Sequence, residues 1–118
     1  MIAAPCPGTL LMPLSKETFT FDPRPNYPLL ITANRYWDEA TTVEDGLTVI
    51  LAHGTSFTKE NWEPTLEDLQ VLVRDTKRAR IREYWSIEAP NHGDTALLNE
   101  QTLEVGYTPV CRSTSPSR

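Results

Sequence analysis

Two stretches hold most of the chain's potential chemistry, LAHGTSFTKENW at 51–62 and IEAPNHGDTA at 87–96. Each puts a His-Gly pair, His53-Gly54 or His92-Gly93, in the turn that follows an apolar run. Glycine after a buried strand permits backbone geometry that leaves N–H groups facing outward, and such groups stabilise an oxyanion. Histidine can also act as a general base, but only beside a nucleophile. The six serines are Ser15, Ser56, Ser86, Ser113, Ser115 and Ser117, and none sits in a Gly-x-Ser-x-Gly elbow. His53 and His92 are therefore expected to fix their loops by hydrogen bonding, and Ser56 is not expected to be a nucleophile. A metal held by His53, Glu88, His92 and Asp94 would need ligands converging from two loops without HxH or HExxH spacing. No metal and no cofactor is expected. Trp37, Trp62 and Trp85 are expected to be core or loop anchors.

The elements that must position these loops are legible as patterns. Asp45-Gly46 makes a turn before LTVILA at 47–52, a continuous apolar run expected to be a strand buried on both faces. After the first loop, Pro64 and a variant capping box at Thr65 to Asp68 predict a helix over 65–80. Its apolar stripe is Leu66, Leu69, Leu72 and Val73, with acids leading and bases trailing. EYWSIEA at 83–89 is a second buried strand, so 47–89 reads as a right-handed βαβ unit with parallel strands. Ligands of such sheets bind beyond the carboxyl ends of the strands, where both His-Gly loops fall. Upstream, KETFTFD at 16–22 places Phe19 and Phe21 on one face, and LITANRYW at 30–37 has a looser β pattern. Asp94 or Thr95 is expected to cap a last helix through ALLNEQTLE.

A chain of 118 residues is one domain's length. Six of its ten prolines (Pro5, Pro7, Pro13, Pro23, Pro25, Pro28) fall in the first 28 residues, so 1–15 reads as an extended Pro-rich arm. Residues 16–104 read as the folded domain and 105–118 as a disordered tail. The net charge of −5 disfavours nucleic acid and anionic lipid as partners. The one basic run, Arg74, Lys77, Arg78, Arg80 and Arg82, falls at the expected helix C-terminus, where cations complement free carbonyls. Cys6 and Cys111 have no CxxC spacing, which excludes a disulfide framework. The N-terminus lacks a cationic segment, and no run reaches the about 18 apolar residues of a membrane span. The expected location is intracellular and cytoplasmic.

A strand ending in His-Gly-x-Ser, a crossover helix, and a strand ending in an acidic residue before x-x-x-His-Gly-x-Thr together resemble the N-terminal half of the α/β-hydrolase fold family, of the AB hydrolase-1 type. HGTSFTKENWEP and WSIEAPNHGDTALLNEQTL are similar to a fungal branch that includes acyl-coenzyme A hydrolases and toxin-biosynthesis hydrolases. The resemblance spans about residues 16–103. It implies a truncated α/β sheet of about four strands, with His53 and Gly54 shaping an oxyanion turn. The backbone N–H groups of Thr55 and Ser56 would donate there, and Glu88, His92, Gly93 and Thr95 would form a supporting loop. It also implies a small-molecule ester or acyl thioester as the substrate of a complete form, which can be peroxisomal. The pattern departs where the elbow serine, acid and histidine should follow, so no catalytic residue is expected within these 118 residues.

Three readings compete. In the first, the chain is the N-terminal portion of a serine hydrolase and is inactive alone. In the second, it is a non-catalytic interaction module that self-associates or pairs through an exposed strand at 47–52. In the third, it is a complete small α/β enzyme with its site at the His-Gly loops.

Overall fold

The computed structural model describes residues 14–40 and 44–104. Four strands, β1 (Leu14–Phe21), β2 (Ile31–Asp38), β3 (Leu47–Ala52) and β4 (Ile81–Glu88), form one sheet in the order β1-β2-β4-β3. β1 pairs antiparallel with β2 from Leu14 opposite Asp38 to Phe21 opposite Ile31, and β2 pairs antiparallel with β4. β3 runs parallel to β4, because the chain crosses between them through a 3₁₀ turn (Lys59–Trp62) and helix α1 (Glu63–Thr76). Helices α2 (Gly93–Leu98) and α3 (Glu100–Glu104) follow β4, which makes the fold mixed α/β.

Side-chain alternation gives the sheet two unlike faces. On one, Leu14, Tyr36 and Tyr84 meet Leu66 of α1 in the buried core, with Val49, Leu51, Trp62, Leu69 and Ile81 packed around them. Polar groups on this face are paired. The Tyr84 hydroxyl donates to Gln70 Oε1 at 2.8 Å, while Gln70 Nε2 and Arg74 donate to Asp38 at 3.0 and 2.6 Å. Burial, with the Asp38 charge behind it, pushes the Tyr84 hydroxyl up to about 12. On the other face Phe19, Phe21 and Trp85 stack together, with Phe19 and Trp85 centroids 5.2 Å apart.

Several expectations need correcting. β3 is not buried on both faces: it is the outermost strand, so only Val49 and Leu51 lean on the core while Leu47 and Ile50 are exposed. β1 starts at Leu14, inside the expected arm, and the rest of that arm, Cys6, Cys111 and the tail 105–118 lie outside the described residues. Helix α1 starts at Glu63 with Pro64 in its first turn, so Thr65 does not cap it. The capping interaction lies one turn earlier, where the Thr58 N–H donates to Asn61 Oδ1 at 2.7 Å. The helix ends at Thr76 because Lys77 adopts a left-handed φ of 53° and its N–H closes on the Val73 carbonyl. Arg78, Arg80 and Arg82 therefore lie past the helix; Arg80 pairs with Asp45 at 3.0 Å and Arg82 belongs to β4. The expected last helix is divided at Asn99, whose buried amide bonds both backbone groups of Leu30 and the Pro90 carbonyl. Neither Asp94 nor Thr95 caps it: the N-cap position is His92.

Candidate functional site

Because β3 and β4 are parallel neighbours, the turns that follow them lie side by side at the same end of the sheet. The His53 and His92 ring centroids are 4.9 Å apart. Each histidine is held by the other loop. His53 Nε2 accepts the Ala89 N–H at 2.9 Å, and His92 Nε2 accepts the Ser56 N–H at 3.1 Å. The remaining ring nitrogens stay within their own loops: His53 Nδ1 donates to the Gly54 carbonyl at 2.8 Å and His92 Nδ1 to Asn91 Oδ1 at 2.7 Å. All four ring nitrogens thus take part in hydrogen bonds within and between the two loops.

The Gly54 to Phe57 turn closes on a bond from the Phe57 N–H to the Gly54 carbonyl at 3.1 Å, with Ser56 at a left-handed φ of 70°. Of the two N–H groups expected as oxyanion donors, that of Ser56 is committed to His92. Thr55, between Gly54 and Ser56, is exposed. Beside the turn, His53, Gly54, Phe57, Asn61, Trp62 and Thr65 line an open cleft of about 330 Å³. Trp62 anchors it by donating its indole N–H to the Ala52 carbonyl at 3.2 Å.

Beneath the loops lies a buried ionic cluster. Glu88 ends β4 with 0% exposure, and Lys59 opens the 3₁₀ turn with 1%. Glu88 accepts from the Lys59 N–H and ammonium at 3.0 and 3.1 Å, and from the Thr95 N–H and hydroxyl at 3.1 and 2.9 Å. Thr32 on β2 also bonds the Glu88 carboxylate and makes a short hydroxyl contact with Thr95. Burial pushes the Glu88 carboxyl up, but the donors of Lys59 and Thr95 outweigh it and hold it at about 2. For Lys59, burial pushes the ammonium down and the carboxylates of Glu60 and Glu88 win, so it is raised. The ammonium also contacts Glu60 and Asp94, at 3.0 and 3.3 Å. Ser86 adds a bond to the Lys59 carbonyl at 2.8 Å. Thus one carboxylate ties together the first loop, through Lys59, and the second, through Thr95.

Gly93 belongs to the same device. Its φ is 48°, and a Cβ there would stand 2.8 Å from the Glu88 carboxyl carbon. Glu88, Gly93 and Thr95 thus meet in one place, while His92 joins His53 above them. Sequence reasoning missed Lys59 and Thr32: a lysine in a polar loop and a threonine in a strand look ordinary until the fold buries both. Glu88 and Asp94 face the Lys59 ammonium rather than the histidines, and no cluster of three His, Cys, Asp or Glu fit for a metal occurs among the described residues.

The fold and loops define a mixed α/β domain with a loop pair at the carboxyl ends of its parallel strands. No family model, curated protein or solved structure matches the chain.

Proposed function

We propose that residues 16–104 are the N-terminal portion of an α/β-hydrolase-type serine hydrolase, acting on an ester or acyl thioester in its complete form. They contribute the oxyanion-side loop and its supporting loop, and not the nucleophile. The observation that carries this reading is the mutual lock of the two His-Gly turns at the ends of parallel neighbours, with Thr55 exposed in the first of them. A backbone donor fixed in this way suits charge developing on a carbonyl oxygen, which an acyl-serine mechanism would place there. In these 118 residues no serine stands on an elbow, so the chain alone is inactive on this reading.

Sequencing the transcript through and beyond the codons for Leu103 to Arg118 tests it. A frame or exon continuing into a strand and Gly-x-Ser-x-Gly is the expected result, and a message without one removes the hydrolase reading. In parallel, the purified chain should show no saturable hydrolysis of an acyl thioester; turnover abolished by Ser56→Ala would overturn the assignment of this segment as non-catalytic.

A second reading, a non-catalytic module that pairs through β3, is favoured by the strand's position at the sheet edge with Leu47 63% exposed. Among the described residues no helix is long and apolar enough to cross a membrane.

A further inference from the structure

The chain has two histidines, His53 and His92, and the fold sets both at the junction of the two loops. A backbone N–H can only donate a hydrogen bond. Nε2 of His53, which faces the Ala89 N–H, and Nε2 of His92, which faces the Ser56 N–H, must therefore each offer a lone pair. The ring proton of each is then on Nδ1, where the partners are oxygens, the Gly54 carbonyl and Asn91 Oδ1. Both rings are thus neutral, and of one tautomer, whenever the loops are joined. A second proton on either ring sets N–H against N–H and breaks that cross-loop bond. The charge it brings meets no carboxylate partner. The charged groups on the surrounding elements are Lys59 and Glu60 of the 3₁₀ turn, Glu63 at the start of α1, Glu88 of β4 and Asp94 of α2. Lys59 holds Glu60, Glu88 and Asp94, and Lys16 holds Glu63; among the described residues none of these acids pairs with a histidine.

We propose that His53 and His92 form a pH-operated latch between the two loops, closed while both rings are neutral and opened when either takes up a proton. Imidazole is the side chain whose ordinary titration falls between about pH 8 and pH 5. Both rings are half-buried, so solvent reaches them. With their centroids 4.9 Å apart, a charge on one also opposes a charge on the other. The layer beneath limits what opens. Glu88, held at about 2, and Lys59, raised, stay ionised throughout that range, so the Glu88 bonds to the Lys59 and Thr95 N–H groups keep the far ends of the loops anchored. The released part is the turn from Gly54 to Phe57, where Ser56 loses the bond that helps to hold its left-handed φ of 70°. His53, Gly54 and Phe57 line the cleft together with Asn61, Trp62 and Thr65, so freeing the turn changes the shape of the cleft. The inference stands on these bonds and not on the hydrolase reading.

Nitrogen-15 NMR of the full chain, taken from about pH 8 to about pH 5, tests it. With two histidines in the sequence, every imidazole signal belongs to the latch. Both rings should show the Nδ1–H tautomer at the high end. As they take up protons, the protection of the Ser56 and Ala89 amides against hydrogen exchange, referred to an unstructured chain at each pH, should fall about tenfold, as the loss of one hydrogen bond does. The Lys59 and Thr95 amides should keep theirs. Combining His53→Gln with His92→Gln puts an amide oxygen near each Nε2 position, an acceptor at any pH, and should remove the step. An Nε2–H tautomer of either ring at the high end overturns the latch, as do rings that titrate while the Ser56 and Ala89 amides stay unchanged, or a step that survives in the double variant. So does a step in which the Lys59 and Thr95 amides open as well, since that is unfolding of the domain. The tautomer and exchange readings come from the native chain and decide the matter even where the double variant fails to fold.

Discussion

At the scale of single residues, the buried Lys59–Glu88 pair sets the terms. Taking both charges from water is costly, and removing one partner leaves the other stranded. Lys59→Met should therefore cost about 3–5 kcal/mol in urea unfolding. Combining it with Glu88→Leu should cost less than the two single losses added together, as a double-mutant cycle would read out. The pH dependence follows from the depressed Glu88 carboxyl. Its folded value of about 2 lies below the ordinary 4.5, so its stabilisation is complete above pH 4.5 and is lost as pH falls toward 2. Other carboxylates titrate in the same window, among them Asp38 and Glu60, also held low. The measurement is therefore the difference in urea midpoint between the native chain and Glu88→Gln, which should shrink as pH drops from 5 to 2; a constant difference would show that Glu88 does not carry it. Gly93→Ala meets both a positive φ and the Glu88 carboxylate and should destabilise by about 1–3 kcal/mol.

At the scale of elements, the helical stripe separates what sequence can and cannot tell. Leu66, Leu69, Leu72 and Val73 recur at helical spacing, yet Leu66 is fully buried and Leu72 is largely exposed. The position between them that does go inside is Gln70, because the Tyr84 hydroxyl and the Asp38 carboxylate offer its amide partners on both sides. Periodicity marks a face but not its centre. Leu66→Ala should thus cost about 2–5 kcal/mol, whereas Leu72→Ala should stay within about 0.5 kcal/mol, both from urea midpoints. The four strands, the crossover helix and a helical segment after β4 were legible in order and kind, as were the parallel β3 and β4 and the end of the sheet where both His-Gly turns fall, whereas the 3₁₀ turn at Lys59–Trp62 and the division of the last helix at Asn99 were not. The error over β3 has a general cause. An apolar run tells that a strand has apolar side chains on both faces, not that protein covers both. The ion pair under the loops was not legible either, since the buried lysine depends not only on its neighbour Glu60 but on Glu88 and Asp94, far along the chain and brought to it only by the fold.

At the scale of the molecule, the sheet order predicts where the fold opens first. β2 and β4 have neighbours on both sides, so their backbone groups are paired along both edges, while β1 and β3 each have one neighbour. A parallel ladder bonds only alternate N–H groups to the neighbour, leaving the others of β3 facing outward. Amide hydrogen exchange should therefore be slowest in Ile31–Asp38 and Ile81–Glu88, and split within Leu47–Ala52 into alternate slow and fast sites. The split also tests the reading in which β3 pairs with another strand: such pairing would protect the outward N–H groups as concentration rises. Uniform protection along β3 at high concentration would therefore argue for edge pairing, and an alternation that persists at every concentration would argue against it.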